Sequence, residues 1–313
     1  MDLIGIHHLT AITADAPGNN RFYTEVLGLR RVKKTVNQDD TSAYHLFFAD
    51  GAGSPGTDLT FFDWPVARER RGTHSISRTG LRVDEPSLDY WPRGCVPMAC
   101  PWGEIATPDT RESIDFEDHE GQRFRLTADQ PGESYQWDRS PFPAEHQIRG
   151  LGPITLSVPD LAPTEAMLTR VMNMRRVHDY ASPDGEGRVH VFEMGAGGPA
   201  AELHVAVQPG LPTARQDAGA VHHVAFRVPD ANAIRDWTEH VASFRIPSSG
   251  EVDRYYFRSL YFREPGGNLF EIASDTPGFA VDEPFETMGE ALSLPPFLEP
   301  RRAEIEAGLK PLD

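Results

Sequence analysis

The chain has 313 residues, 12 of them histidine and 2 cysteine, with 47 acidic against 30 basic side chains and a formal net charge of −17. That excess of negative charge opposes binding to nucleic acid or to anionic membranes, and two cysteines cannot build a disulfide framework. No apolar run approaches spanning length and Met1-Asp2 leads straight into the first motif, so the expectation is a cytoplasmic protein with neither a nucleic-acid nor a membrane partner.

In chain order, GIHHLTAIT (5–13) is a strand-like run carrying a histidine doublet, followed by TAD (13–15) and the amphipathic NNRFYTEVLGLRRV. AYHLFFAD, PGTDLTFF (55–62) and the following DW then read as strands and turns. The basic clusters RRVKK (30–34) and RERR (68–71) are short, and read as solvated surface or a contact between subunits, which leaves a homo-oligomer open. VDEPSLDYW (83–91) and EGQRFRLTAD (120–129) repeat the pattern weakly, with the Pro-rich SPFPAEHQIRGLG (140–152) dividing the halves. The phrase VPD recurs at 158–160 and 228–230, each time between a strand-like run and a helical one, and the second follows another doublet in AVHHVAFRV (220–228). PGGN (265–268) makes a hairpin turn into the returning strand LFEIA, and a Pro-punctuated tail with one short helix closes the chain.

The repeating unit is therefore βαβββ, used four times in an α+β chain. Its expected spans are 1–65, 72–130, 147–208 and 217–276, with a linker at 131–146 and a tail at 277–313. Four such units with an HH strand at the start resemble the vicinal oxygen chelate superfamily, which contains glyoxalases, bleomycin resistance proteins and extradiol dioxygenases. The run VKKTVNQDDTSAYHLFFADGAGSPGTDLTFFDWP (32–65), the IRGLG linker, and HHVAFRVPD with PGGNLFEIASD resemble its hydroquinone-type ring-cleaving dioxygenases. The resemblance implies two cupped mixed-sheet barrels. Units one and four would pair around a metal, and units two and three would pair without one.

In that family, ligands come from the first and last strands of a unit. Aligning the repeats on VPD and TAD lays His223 on His8 and His222 on His7, with Arg78 and Pro153 in the same slot of units two and three. On the returning strand Glu271 falls on about Phe61, Arg125 and Val205 of the other units. The resemblance thus implies a metal held by His8, His223 and Glu271. Strand alternation sends the two members of each doublet to opposite faces, so one ligates and its neighbour supports; the resemblance selects the second as ligand. Glu271 stands among Leu269, Phe270 and Ile272, where a carboxylate is costly to bury without a cation.

Two imidazoles and one carboxylate leave open positions on a non-haem Fe(II) ion for a small aromatic diol and O2; Mn(II) or another divalent ion is the alternative. By the same resemblance His7, Thr10, His222, Arg254 and Tyr261 lie near the metal. Arg254 would stabilise a phenolate, and Tyr261 or His222 would carry protons. The remaining histidines, His45 among them, are expected to be structural. A glyoxalase-type isomerase would need a fourth ligand, which Asp58 or Asp63 supplies if the alignment slips. The other alternative is a metal-free protein that sequesters a flat ligand.

Overall fold

The computed structural model describes residues 1–94, 101–130, 134–185 and 187–312. Unit one comprises β1 (Ile6–Thr13), α1 (Ala16–Arg21), β2 (Arg30–Val36), β3 (Tyr44–Ala49) and β4 (Asp58–Asp63). Unit two has β5 (Ser75–Asp84), α2 (Ser87–Gly94), β6 (Ser113–Glu117) and β7 (Arg123–Asp129). It thus has two strands after its helix among the described residues rather than three, and the intervening stretch includes residues 95–100, which lie outside them. Unit three contains β8 (Gly150–Val158), α3 (Leu161–Ala166), β9 (Arg175–Ala181), β10 (Arg188–Glu193) and β11 (Glu202–Val207). Unit four contains β12 (Val221–Val228), α4 (Ala231–Ser243), β13 (Ser248–Asp253), β14 (Phe257–Arg263) and β15 (Leu269–Pro277), and the tail ends in α5 (Arg302–Gly308).

The recurring Asp of TAD and VPD has one job. Asp15, Asp160 and Asp230 each cap the helix that follows by accepting backbone N–H groups, from Gly18, Ala162, and both Asn232 and Ala233 respectively. The PGGN turn is held by Glu264, which is buried and accepts from the backbone N–H groups of Gly266 (2.8 Å) and Asn268 (3.1 Å) and from the Thr164 hydroxyl (3.0 Å). Gly267 sits there at φ +92, a conformation that side chains resist.

Eight strands form one sheet in the order β13-β14-β15-β12-β1-β4-β3-β2, and seven form the other in the order β6-β7-β5-β8-β11-β10-β9. Units one and four therefore share a sheet, as do two and three. Within each sheet the first strands of the two units run antiparallel at the centre, and each is flanked by its own unit's last strand in parallel. The sheets are cupped and open, not closed barrels. The edge at β2 is instead covered in part by the tail, where Leu292 bridges Lys34. The buried Lys33 ammonium donates to the Phe279 carbonyl (3.0 Å) and pairs with Asp282 (2.7 Å) and Glu283, tying down the same tail segment.

Alternation along the strands separates core from cup. Leu9 and Ala11 of β1, Phe270 and Ile272 of β15, and Phe61 of β4 enter an apolar core shared with Phe124 and Leu126 of the second sheet. The cup of the second sheet is filled by ion pairs: Arg78 with Asp184 (2.9 Å), Arg125 with Asp115 (2.6 Å), and Arg111 with Glu202 (2.6 Å). Burial opposes ionisation of Glu202, but His204 and Arg111 outweigh it and hold the carboxyl at about 2, against 4.5 ordinarily. A depressed folded-state value means stability that is complete above the unfolded pKa and lost as pH falls towards the folded one. Glu202 should therefore contribute about 3 kcal/mol at neutral pH, at about 1.4 kcal/mol per unit, disappearing between roughly pH 5 and 2. Denaturant titrations across that window should show the loss in the native protein and a flatter profile in a Glu202→Gln variant.

Candidate metal centre

The ladder between β1 and β12 is broken twice, and each break falls on a histidine doublet. Ile6 lies opposite Phe226 but His8 opposite Ala225, so His7 is an extra residue in β1; Thr10 lies opposite His223 but Ala11 opposite Val221, so His222 is extra in β12. These β-bulges overturn the expectation that alternation sends the doublet members to opposite faces. The rings meet instead, with His7 Nδ1 2.9 Å from His8 Nδ1 and His222 Nδ1 2.7 Å from His223 Nδ1.

Proton positions follow from the partners. His7 Nε2 lies 3.2 Å from the Ser274 carbonyl, which only accepts, so that nitrogen carries the hydrogen. Burial, reinforced by His8, depresses His7 to about 3, so its Nδ1 is an acceptor. His8 Nδ1 must then donate, which turns Nε2 inward. There it lies 3.4 Å from His223 Nε2 and 3.1 Å from Glu271 Oε2; His223 Nε2 is 2.9 Å from the same oxygen.

All three side chains are buried, and Glu271 has no exposed surface. Its Oε1 accepts from the Ser259 hydroxyl at 2.5 Å, whereas Oε2 receives no hydrogen bond of good geometry despite two ring nitrogens nearby. Burial alone would raise the Glu271 carboxyl; His8 and His223 reverse that and hold it well below the usual range. Donors bound at right angles, about 2.1 Å from one ion, lie about 3 Å apart. The spacings here match that figure, and a buried carboxylate oxygen with no hydrogen-bond partner, facing two imidazole Nε2 atoms, fits a divalent cation at their common focus.

Register also locates the fourth slot. Glu271 lies opposite Ala225, two residues beyond His223; the equivalent step from His8 reaches Thr10, which lies opposite Thr60. The counterpart of Glu271 is therefore Thr60, not Phe61, which points into the core against Tyr23 at 4.5 Å between ring centroids. Asp58 is buried and pushed well above its ordinary value by burial and by Asp50, and Asp63 is raised by burial; neither joins the donor group. In the second sheet the same step places His204 opposite Thr155, so His204, not Val205, fills that slot in unit three. Asp109, Glu202 and His204 form the other donor cluster among the described residues, but Arg111 already grips Glu202 through two bonds of 2.8 and 2.6 Å.

The three donors face a cavity of about 280 Å³ with aromatic walls from Phe47, Phe62, Trp64, Tyr256 and Phe257. Thr10, His222, Arg254 and Tyr261 also line it, while His7 stands behind His8, outside the lining. Arg254 Nε donates to the Tyr261 hydroxyl at 3.2 Å, and burial, then Glu271, raises that phenol above its ordinary value. Tyr255 adopts φ +70 between Arg254 and Tyr256, a strained turn whose two neighbours both line the cavity.

His45, expected to be structural, lines the cavity as well. Its Nε2 lies 3.0 Å from Thr60 Oγ1, which is 2.7 Å from Thr10 Oγ1, and burial keeps its ring well below its usual pKa. Alternation in β3 and β4 puts His45 and Phe47, and Thr60 and Phe62, on this face, a signal present in AYHLFFAD and DLTFFD.

The profile of the Glyoxalase/Bleomycin resistance protein/Dioxygenase superfamily matches residues 5–85 and 150–272. The chain belongs to this superfamily. It is 46% identical over 316 aligned positions to the provisionally named ring-cleaving dioxygenase MhqA of Bacillus subtilis (strain 168), covering 100% of both chains. It is 30% identical over 319 positions to the chlorohydroquinone/hydroquinone 1,2-dioxygenase of Sphingobium indicum, covering 96% of this chain and 94% of that one. The crystal structure of a provisionally named dioxygenase from Bacillus subtilis superposes with a TM-score of 0.91 at 35% identity, covering 100% of this chain and 98% of that one. Glyoxalase I from Zea mays shares the superfamily fold at a TM-score of 0.65 and 14% identity, over 87% of this chain and 92% of its own.

Proposed function

We propose that this protein is a ring-cleaving dioxygenase that opens a hydroquinone or related diphenol with O2, using Fe(II) held by His8, His223 and Glu271. The observation carrying this reading is a buried set of two imidazoles and one carboxylate, facing an aromatic cavity, with Thr60 where a fourth carboxylate ligand would stand. A relative named as a ring-cleaving dioxygenase, at 46% identity, and one named as a chlorohydroquinone/hydroquinone 1,2-dioxygenase, at 30%, both matched over nearly the whole chain, support it. Bound there, Fe(II) would supply O2 activation and open positions for the two reactants.

The chain's own groups divide the remaining work. Phe62, Trp64 and Phe257 accept a flat ring and exclude water from it. Arg254 fixes the Tyr261 hydroxyl through Nε while its Nη1 pairs with Asp39. Because Arg254 donates to the Tyr261 oxygen, the phenol's own hydrogen is free to be given to a substrate oxygen. The His45 ring, kept neutral by burial, lines the same cavity with its Nε2 3.0 Å from the Thr60 hydroxyl. His7 and His222 hold the rings of His8 and His223 through Nδ1, as partners of ligating imidazoles do elsewhere. An isomerase of glyoxalase type ranks second, since Thr60 offers no carboxylate.

Protein reconstituted anaerobically with Fe(II) should consume O2 with hydroquinones, stop on chelation and recover on re-addition of Fe(II); a Glu271→Ala variant retaining full O2 uptake would overturn the reading. Replacing His7 with Phe should weaken Fe(II) binding by about 10- to 100-fold, read by metal titration with circular dichroism as the control for folding. A Thr60→Glu variant should bind divalent metal more tightly and lose O2 uptake, because the added carboxylate takes a position that the reactants need.

A further inference from the structure

We propose that Asp39 is a specificity-determining residue, which bars ring substrates carrying a carboxylate by occupying the charge of Arg254. The inference rests on the diphenol reading above and adds to it how the site sorts substrates by charge.

Arg254 is the single arginine or lysine among the residues lining the cavity. Its Nη1 lies 3.0 Å from Asp39 Oδ2, and its Nε is spent on the Tyr261 hydroxyl. The turn bearing Asp39 is shaped to make that contact. The Asp39 backbone N–H donates to Asn37 Oδ1 at 2.8 Å, and Gln38 Nε2 donates to the Arg254 carbonyl at 2.8 Å, so side chain and backbone of Arg254 are both engaged by neighbouring residues of one loop. Asp40, the other acid on the lining, is held within the turn by Ser42, through its hydroxyl at 2.6 Å and its backbone N–H at 3.2 Å. Against one guanidinium the mouth therefore sets two carboxylates.

A diphenol whose ring carries only uncharged groups meets no electrostatic objection in this cavity. A ring carboxylate meets Asp39 and Asp40 and finds the one fixed cation already paired, and a carboxylate desolvated without a partner binds poorly. Replacing Asp39 with Asn removes one negative charge and frees a guanidinium suited to two-point recognition of carboxylate.

The test compares binding of methylhydroquinone and 2,5-dihydroxybenzoate by calorimetry to metal-free protein and to protein loaded with redox-inert Zn(II), so that no turnover is required. The native protein should favour methylhydroquinone. Asp39→Asn should shift the affinity ratio at least fivefold towards the carboxylate, Asp39→Glu should restore the native preference, and adding Arg254→Met to Asp39→Asn should abolish the shift. A ratio unchanged within twofold in Asp39→Asn, a shift surviving in the double variant, or no binding of either ligand to either form would overturn the inference. If the ratio shifts as stated but no diphenol is ever cleaved, the charge selection stands and the dioxygenase reading falls. If cleavage occurs and the ratio does not move, the reverse holds.

Discussion

A carboxylate without solvent exposure sits at the centre of an eight-stranded sheet, and the arrangement around it answers the cost of its charge. Glu271 is flanked in the ladder by Ala225 on one side and Tyr261 on the other, while Phe270 and Ile272 turn to the core on the opposite face. One oxygen is satisfied by Ser259; the other has only ring nitrogens for company. Desolvating such an anion costs several kcal/mol, a cost that a positive centre at the focus of the three donors would offset. The two bulges supply the geometry for one: an extra residue in each central strand sets His7 against His8 and His222 against His223, and the Nε2 atoms of His8 and His223 meet at the same oxygen. The symmetry of the bulges mirrors the duplication of the units.

The second sheet meets the same constraint by different chemistry. Arg78 and Arg125 stand in the slots held in the first sheet by His8 and Thr60, and His204 stands in that of Glu271. Positive charge is here covalent, carried by guanidinium groups and matched by Asp115, Asp184 and Glu202. Bidentate pairs then fill the cup that the first sheet leaves open to solvent and substrate. One scaffold thus yields a reactive hollow where imidazoles face a carboxylate and a closed structural lattice where arginines do.

Much of this was legible in the chain. Repeat anchors carry the pairing of units because each TAD or VPD is a physical device, a strand end whose Asp caps a helix, and such devices recur with the fold. The separation of Leu9 and Phe270 from His8 and Glu271 follows from period-two alternation. Alternation also misled where it was interrupted. A bulge leaves no mark in composition, so the meeting of His7 with His8 was invisible, and the one-residue choice between Phe61 and Thr60 awaited the ladder that pairs Thr10 with Thr60. His45 is hidden for another reason: it lies on a middle strand, outside the first and last strands that carry the repeat's donors, and only the curl of the sheet brings it into the cavity. Asp39 lies in a turn, where no periodicity speaks.

His8 and His223 are separated by 215 positions in the chain and meet only through the central ladder of the first sheet. During synthesis the first histidine leaves the ribosome early, and its partner strand follows only after two intervening units that pair with each other have emerged. A growing chain therefore holds an incomplete donor set for most of its synthesis and acquires a cage only when the last unit docks beside the first. A metal taken up by these three donors would arrive late, at completion of the fold rather than guiding its beginning.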